Sequence, residues 1–342
     1  MRATTIHGPG DIRFEEVPDP KIQLPTDAIV KVVRGCICGS DLWPYRGIDR
    51  SIPGSTIGHE CIGEVVEVGP EVQDFKPGDF VVVPFDHCDN TCPHCRAGMQ
   101  SGCVNLGFTV SGQGEYARVN FADGSLVSTQ GTPDDAMLPA LLTLSDVMAT
   151  GWHAAVCAGV QSGSTTVVVG DGAVGLCGVL AARQLGADRI IAMSRHADRS
   201  AVAERFGATD VVAERGKEAV ERVRELTEGV GADAVLECVG AAEAMQTALK
   251  VARPGSRVGY VGVPHDIDAP FDLTFRRNIG LMGGMAPVRK YLPDLIELVT
   301  SGEIDPSPVF DMTLPMSESA DGYRAMDERR AIKVLLEPQD GS

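Results

Sequence analysis

The sequence has neither an excess of positive charge nor a long apolar run. Its formal net charge is −17 at pH 7, which argues against a broad basic surface for nucleic acid or anionic lipid. No stretch reaches the roughly 18 to 20 consecutive apolar residues of a membrane-spanning helix, and the first residues, MRATTIHGPGDIRF, lack the apolar core of a secretory signal. We therefore expect a cytoplasmic protein that binds neither nucleic acid nor membranes.

The chain also lacks a fixed-period repeat and a low-complexity tract, so the sequence does not predict a repeat array or a disordered protein. Its 342 residues are 44% hydrophobic and 23% charged, which is ordinary for a globular protein. Because domains mostly run roughly 100 to 200 residues, we expect two of them.

The pattern of apolar and polar residues along the sequence changes near residue 150. Residues 1–150 contain short Val- and Ile-rich runs broken by Gly and Pro, such as AIVKVV and DFVVVPF, which predict a β-rich, barrel-like domain. In residues 151–286 apolar strands alternate with helical segments, which predicts an α/β, doubly wound parallel sheet. Residues 287–342 end in the strand-like KVLLEP and are expected to return to the first domain.

A glycine-rich loop joins the strand TTVVVG to the helical segment that follows it. The loop is Gly170-Asp171-Gly172-Ala173-Val174-Gly175. In a dinucleotide-binding loop the first glycine permits a tight turn, the second lets the backbone approach a pyrophosphate, and the third lets helix and strand pack closely. The helix start at Ala173 and Val174 offers free N–H groups to the phosphates. The sequence therefore predicts dinucleotide binding here.

The end of the next strand predicts which dinucleotide is preferred. An NAD-selective site normally carries an acidic residue about 20 residues after the loop, on the ribose 2′-hydroxyl. Here the strand ends in Ser194 and Arg195, with no carboxylate. A guanidinium suits a 2′-phosphate, and Arg199 one helical turn later can assist. We expect NADP(H) to be preferred; alternatively Arg195 is a solvated loop residue and NAD(H) also serves.

Three of the ten cysteines are closely spaced. Cys92, Cys95 and Cys103 follow a Cys-x2-Cys-x7-Cys pattern, which suits thiolate ligands around one tetrahedral metal ion. In a chain without a secretory signal, such clustering favours a metal over disulfides. The fourth ligand of this expected structural zinc is either Asp89, which continues the spacing, or Cys88, which is the softer donor. Buried free thiols are the alternative.

A second set of residues is dispersed, and spacing alone does not bring its members together. The set is Cys38 in CGSD, His59 and Glu60 in GHE, and Asp146 in LSDVMATGWH. Taken in order with the cysteine cluster and the glycine loop, these motifs resemble the zinc-containing medium-chain dehydrogenase/reductase family over nearly the whole chain. The resemblance implies a GroES-like β-rich catalytic domain, completed by residues 287–342, and a Rossmann domain over residues 151–286.

The resemblance also implies roles for the dispersed residues. Cys38, His59 and Asp146 match the ligands of a catalytic zinc, and Glu60 matches a residue that can enter or leave the coordination shell. Ser40 resembles a hydroxyl that carries the proton of the alcohol away; its alternative is a helix-capping or turn serine.

Two neighbouring residues complete this comparison. Asp41 resembles a carboxylate that orients His59; its alternative is the N-cap of a short helix. Trp43 stands five residues after Cys38, where the family often has a histidine, so the proton needs another route or water, and we expect Trp43 to shape the pocket.

The expected function is reversible hydride transfer between a small alcohol and NADP, giving an aldehyde or ketone. Nothing in the sequence fixes the substrate, so a polyol dehydrogenase and a conjugated-aldehyde reductase are alternatives on the same scaffold. A non-catalytic nucleotide-binding protein and a purely structural zinc protein are alternatives of other classes. The resemblance implies a homodimer or homotetramer.

Overall fold

The structure is a computed structural model that describes residues 1–265, 267 and 271–338. It divides into two compact units: unit 1 contains residues 1–146 and the chain from residue 287 onward, and unit 2 contains residues 147–286. The expected boundary after residue 150 lies inside the helix Val147–Ala158. Because a helix folds as one cooperative element, unit 2 begins at Val147 with the whole helix.

Strands supply most of the regular structure of unit 1. They are β1 Arg2–Gly8, β2 Asp11–Glu16, β3 Ala28–Cys36, β4 Ser55–Thr56, β5 Cys61–Val68, β6 Phe80–Val83, β7 Asp86–His87, β8 Gly107–Phe108, β9 Tyr116–Val119, β10 Val127–Ser128 and, after unit 2, β17 Met312–Pro315 and β18 Val334–Glu337.

Unit 1 contains short helices early in the chain and longer ones near its end. The α-helices are α1 Leu42–Tyr45, α2 Pro93–Arg96, α3 Ala122–Ser125, α4 Leu138–Thr143, α11 Val288–Thr300 and α12 Ser319–Asp327, and the 3-10 helices are Gln100–Gly102, Asp135–Met137, Ser307–Val309 and Met316–Glu318.

The main sheet of unit 1 has the strand order β10-β6-β5-β3-β18-β17, with β9 also pairing with β3. On one face of β3, Ala28, Val30 and Val32 are buried; on the other face Ile29 is buried but Lys31 is exposed, so one face packs on the core and the other is partly covered. The closing strand β18 pairs antiparallel with the end of β3, Leu335 opposite Cys36. The chain after residue 287 therefore completes the sheet that leads into Cys38.

Unit 2 alternates helices and strands. Its elements are α5 Val147–Ala158, β11 Thr165–Val169, α6 Ala173–Gln184, β12 Arg189–Met193, α7 Ala197–Phe206, β13 Asp210–Val212, α8 Gly216–Leu226, β14 Ala232–Glu237, α9 Ala242–Val251, β15 Ala252–Tyr260, α10 Phe271–Arg277 and β16 Gly280–Gly283.

The sheet of unit 2 is parallel throughout, with the order β13-β12-β11-β14-β15-β16. This is the order of a doubly wound dinucleotide-binding fold, in which the first strand of the unit lies centrally. Consecutive residues such as Val167 and Val168 are both fully buried, because helices cover both faces of a parallel sheet. Within the described part of the chain, no helix is both long and apolar enough to cross a membrane.

Candidate metal and nucleotide sites

The four dispersed residues of unit 1 converge in the structure. Cys38 follows β3, His59 and Glu60 precede β5, and Asp146 ends the first segment of the unit. One ligand atom from each lies within 4.8 Å of those of the other three. The Asp146 Oδ2 atom is 3.4 Å from Cys38 Sγ and 3.5 Å from His59 Nε2. A thiol, an imidazole and carboxylates form a donor set that fits zinc.

Buried acidic groups crowd this cluster. Burial, reinforced by the negative charges of Asp146 and Glu60, raises the pKa of the Cys38 thiol. Burial also raises the pKa of Glu60, and Asp146 adds to the rise although Lys333 opposes it. Like charges held together oppose ionisation, and a divalent cation among them would relieve that repulsion. The electrostatics of the cluster therefore agree with its donor chemistry.

Asp41 lies behind His59. Its Oδ1 atom is 3.3 Å from His59 Nδ1, and its Oδ2 atom accepts hydrogen bonds of 3.0 Å from the backbone N–H of Cys38 and from Gln113 Nε2. Asp41 also occupies the N-cap position of α1, as the alternative expected, but its side chain makes no capping hydrogen bond there. A buried carboxylate on Nδ1 fixes the orientation of the ring and leaves Nε2 facing Asp146.

The charges around His59 favour its protonated form. Burial lowers the pKa of His59, but Asp41 and Cys38 outweigh this and hold it well above its usual value. The same anions that attract a proton to the ring would attract a metal cation in its place.

Lys333, which the sequence analysis did not single out, holds Glu60. Its Nζ atom donates hydrogen bonds to Glu60 Oε1 at 2.6 Å and to the Ile37 carbonyl at 3.2 Å. Both side chains of the pair are almost completely withdrawn from solvent, while Glu60 Oε2 has no hydrogen-bond partner. One oxygen of Glu60 is thus anchored and the other is uncommitted. The available signal was a lysine inside the otherwise apolar run AIKVLL near the end of the chain.

Gln113 and Tyr323 were also missed. The Tyr323 hydroxyl donates to Gln113 Oε1 at 3.1 Å, and Gln113 in turn donates to Asp41. No spacing rule links residues so far apart in the chain, so only the fold reveals that this network supports His59.

Ser40 and Trp43 lie beside the cluster in sequence and are both half-buried. The Ser40 carbonyl accepts a hydrogen bond from the Trp43 backbone N–H at 3.1 Å. The N-cap of α1 is Asp41, not Ser40. The Arg46 guanidinium lies over the Trp43 ring, 5.9 Å from its centroid.

The second group of donors surrounds the short helix α2. Ligand atoms of Asp89, Cys92, Cys95 and Cys103 lie within 4.8 Å of one another, with Cys92 Sγ 3.6 Å from Cys95 Sγ and 3.9 Å from Cys103 Sγ. Cys88 is not part of this group, and its thiol instead donates to the Gly124 carbonyl at 3.2 Å. Between the two candidates for the fourth position, the structure thus groups Asp89 with the three thiols.

Hydrogen bonds keep Asp89 ionised. Its Oδ1 atom accepts from the backbone N–H groups of Thr91 and Cys92, and its Oδ2 atom accepts from Asn105 Nδ2. Partial burial raises the pKa of Asp89, but these bonds outweigh it and leave the pKa well below its usual value. An ionised carboxylate is the form that ligates a metal.

The glycine loop of unit 2 has the geometry its sequence predicts. Gly170 has a φ of +120°, and a Cβ on Gly175 would lie 2.0 Å from the Gly170 carbonyl oxygen, so both positions exclude side chains. A Cβ on Gly172 would meet no protein atom within 4 Å, which leaves that backbone approachable. The helix α6 begins at Ala173, followed by Val174, with free N–H groups in its first turn.

At the end of β12, the three expected residues differ in their surroundings. Ser194 is buried and donates to Asp171 Oδ2 at 3.0 Å. Arg199 donates to the Asp171 carbonyl at 3.2 Å and lies 3.6 Å from its Oδ1 atom, whereas Arg195 is exposed. The strand end carries no carboxylate of its own, but Asp171 of the glycine loop provides one beside it, which the sequence analysis overlooked.

Two known domain families match this chain, one in its first part and one in its second. A model of the alcohol dehydrogenase GroES-like domain matches residues 24–129, and a model of zinc-binding dehydrogenases matches residues 173–301. A probable zinc-binding alcohol dehydrogenase of Mycobacterium tuberculosis is 37% identical, covering 99% of this chain and 89% of that protein. The chain belongs to the zinc-dependent medium-chain dehydrogenase/reductase family.

Two further similarities support this assignment. The structure of the alcohol dehydrogenase TADH from Thermus sp. ATN1 superposes with a TM-score of 0.91 at 34% identity, covering 99% of this chain and 100% of that one. An NADP-dependent isopropanol dehydrogenase of Thermoanaerobacter brockii is 36% identical, covering 80% of this chain and 84% of that protein.

Membership of the zinc-dependent dehydrogenase family confirms the α/β fold class, with a GroES-like and a Rossmann part. It also confirms that the protein is an enzyme, a zinc-dependent oxidoreductase acting on alcohols with a nicotinamide cofactor. A purely structural zinc protein does not account for the match over residues 173–301, and a non-catalytic nucleotide-binding protein disagrees with relatives that are named as alcohol dehydrogenases.

Proposed function

We propose that this dehydrogenase interconverts a small alcohol and the corresponding aldehyde or ketone, with NADP(H) as the preferred hydride carrier. The observation that carries the proposal is the convergence of Cys38, His59, Glu60 and Asp146 within 4.8 Å. Three protein ligands and one exchangeable position are what a catalytic zinc site requires.

Within this site, Cys38, His59 and Asp146 would hold the zinc. When bound, the zinc supplies a Lewis acid that makes an alcohol more acidic and polarises a carbonyl. Glu60 is held back on Lys333 by one oxygen, so its other oxygen can approach the site or withdraw from it. Asp41 keeps the His59 ring aligned through Nδ1.

A bound nicotinamide would supply C4 as the acceptor of a hydride from the carbinol carbon. The Ser40 hydroxyl would take the proton of the alcohol and pass its own proton on to water. Ser40 takes this role because it resembles the hydroxyl that carries the alcohol proton away in the family. Trp43 stands where the family often has a histidine, so the proton would go on by another route or to water, and the half-buried Trp43 ring would shape the substrate side of the site.

The cofactor phosphates would lie on the backbone of Gly170, Gly172 and Gly175, at the start of α6. Arg195 is exposed, so its guanidinium can bind a 2′-phosphate, with Ser194 and Arg199 close to it in the chain. The similarity to an isopropanol dehydrogenase named as NADP-dependent supports both the cofactor and a small secondary alcohol as substrate. Polyols and conjugated aldehydes remain alternative substrates.

The second donor group would hold a structural zinc. Asp89, Cys92, Cys95 and Cys103 fill four positions, which leaves no open position for substrate. This ion would stabilise the segment around α2 and take no part in hydride transfer.

Initial rates with a panel of small alcohols, ketones, aldehydes and polyols, each with NADP(H) and NAD(H), test the proposal. We expect turnover of small alcohols and ketones, a higher kcat/KM with NADP(H), and a reduced preference for NADP(H) in Arg195→Ala. Equal kcat/KM for both cofactors in the wild type and in Arg195→Ala would refute the cofactor preference, and turnover of polyols alone would refute the substrate class.

A further inference from the structure

Asp171 is the only charged residue of the glycine loop of unit 2, residues 170–175. It stands between Gly170 and Gly172, and its carboxylate accepts the Ser194 hydroxyl at 3.0 Å. Arg199 is ion-paired with the same carboxylate at 3.6 Å. The side chains of Asp171 and Arg199 are only 16% and 11% exposed, and Ser194 is buried, so the three form one compact cluster.

This cluster lies where a dinucleotide-binding fold selects the substituent on the ribose. In such folds a carboxylate at the end of the second strand accepts the 2′-hydroxyl, whereas an arginine accommodates a 2′-phosphate. The end of β12 contributes Ser194 and no acid, but Asp171 brings a negative charge to Ser194 from the loop. A carboxylate favours a hydroxyl donor and repels a phosphate dianion.

The pairing also affects Arg199. A guanidinium that neutralises a carboxylate offers less net positive charge to a second anion than an uncompensated one. Arg199 is also held through the Asp171 carbonyl at 3.2 Å, so it cannot turn towards a phosphate without breaking contacts. Arg195, which is exposed, is not constrained in this way.

We infer that Asp171 is a specificity-determining residue that limits binding of the 2′-phosphate by repelling it and by engaging Arg199. Cofactor choice is then a balance in which Arg195 attracts the 2′-phosphate and Asp171 opposes it. The inference rests on the proposed dinucleotide site.

Calorimetric titration of the zinc-loaded enzyme tests this inference directly. Wild type and Asp171→Asn are titrated with NADPH, NADH and the fragments 2′,5′-ADP and 5′-AMP, which report on the ribose site without the nicotinamide. Because Asn keeps the shape and an acceptor for Ser194, we expect roughly tenfold tighter binding of NADPH and 2′,5′-ADP, and less than about a twofold change for NADH and 5′-AMP.

Arg199→Gln gives an independent measurement, in which the affinity for NADPH should fall instead of rise. The substitution leaves Asp171 without its cation, so we expect binding of NADPH to weaken at least about tenfold relative to binding of NADH. Asp188→Asn is a matched control, because Asp188 is an exposed carboxylate of the same unit. In this variant the ratio of the NADPH and NADH dissociation constants should stay at the wild-type value.

An unchanged NADPH to NADH ratio in both Asp171→Asn and Arg199→Gln would overturn the inference. The inference would also be overturned if Asp188→Asn shifted the NADPH to NADH ratio as much as Asp171→Asn does, since loss of any negative charge on the unit would then explain the shift. These failures differ from failure of the proposed site itself, in which wild type would bind none of the four ligands. They also differ from failure of the NADP(H) preference, which Arg195→Ala reports.

Discussion

At the scale of single residues, the arrangement behind His59 explains how a dispersed set of ligands is held ready. Asp41 touches His59, the Cys38 backbone and Gln113 at once, so one carboxylate aligns the histidine and the segment that carries the cysteine. Such supporting groups tune a metal site without binding the metal.

Asp41→Asn should therefore weaken the proposed catalytic zinc site. Loss of the negative charge on Nδ1 makes His59 a poorer ligand, and removal of such a partner typically costs about 10- to 100-fold in metal affinity. Competition with a chromogenic chelator measures the zinc dissociation constant. Glu67→Gln, an exposed substitution on β5, is the control, and equal affinities in the two variants would contradict the role of Asp41.

Asp86 of β7 is a buried acidic residue whose protonation should affect the stability of the protein. Both of its carboxylate oxygens are buried without a hydrogen-bond partner. Burial raises the pKa of Asp86 to about 7, and Asp146 adds to the rise. The folded protein therefore binds a proton here that the unfolded chain releases near pH 4. Stability should fall as the pH rises from about 4 to 7, with the full cost present above 7.

Asp86→Asn should remove this pH dependence. The stabilisation relative to wild type should be at most about 2 kcal/mol at pH 5 and should grow to an upper limit of about 4 kcal/mol by pH 8. Thermal unfolding of the zinc-loaded proteins at the two pH values measures it, with the exposed Asp49→Asn as control. A difference in melting temperature that is the same at both pH values would contradict this account.

The cysteine spacing predicts the donor group around α2, and the family resemblance names the dispersed group that contains Cys38, but neither reveals the residues that support them. Lys333 and Gln113 lie far in sequence from Glu60 and Asp41, so their contacts depend on how strands pair in unit 1. Asp171 is visible in the sequence, but its effect depends on which way its side chain points.

At the scale of elements, the segment around α2 should depend on its own metal ion. Asp89→Ala should lower the zinc content from two ions per chain, one for each donor group, to about one, and lower the melting temperature. Cys88→Ser should leave both ions in place, because the Cys88 thiol contacts the Gly124 carbonyl. Zinc loss in Cys88→Ser but not in Asp89→Ala would assign the fourth ligand to Cys88 instead.

The strands and helices of unit 2 were predictable because each apolar run and each helical period is local in sequence. The parallel arrangement of the sheet also follows from the βαβ pattern. The start of unit 2 was harder to place, since the apolar residues of α5, such as Met148 and Ala149, are as buried as those of a strand and no glycine or proline marks the boundary.

At the scale of the whole molecule, unit 2 has an exposed apolar edge. Strand β16 ends the sheet, and Leu281 and Met282 on it are exposed, as are Phe271 and Phe275 of α10. Exposed edges and apolar patches favour association with another chain. This surface supports the expected homodimer or homotetramer.

Phe275→Glu should shift the protein towards smaller species. Phe275 is 85% exposed, so a charge there costs little in the isolated chain but opposes burial in an interface. Sedimentation velocity at several concentrations measures the assembly, with Val230→Glu, an exposed site elsewhere in unit 2, as control. A wild type that stays monomeric at all concentrations would contradict the expectation.

The protein should hold two distinct metal sites, of which only the one containing Cys38 supports hydride transfer. Zinc content by mass spectrometry, measured together with alcohol oxidation for wild type, Cys38→Ala and the control Cys157→Ala, distinguishes the two sites. We predict two zinc ions per chain in wild type and control, one for each donor group, and about one ion with no measurable turnover in Cys38→Ala. Unchanged zinc content together with retained alcohol oxidation in Cys38→Ala would contradict the account.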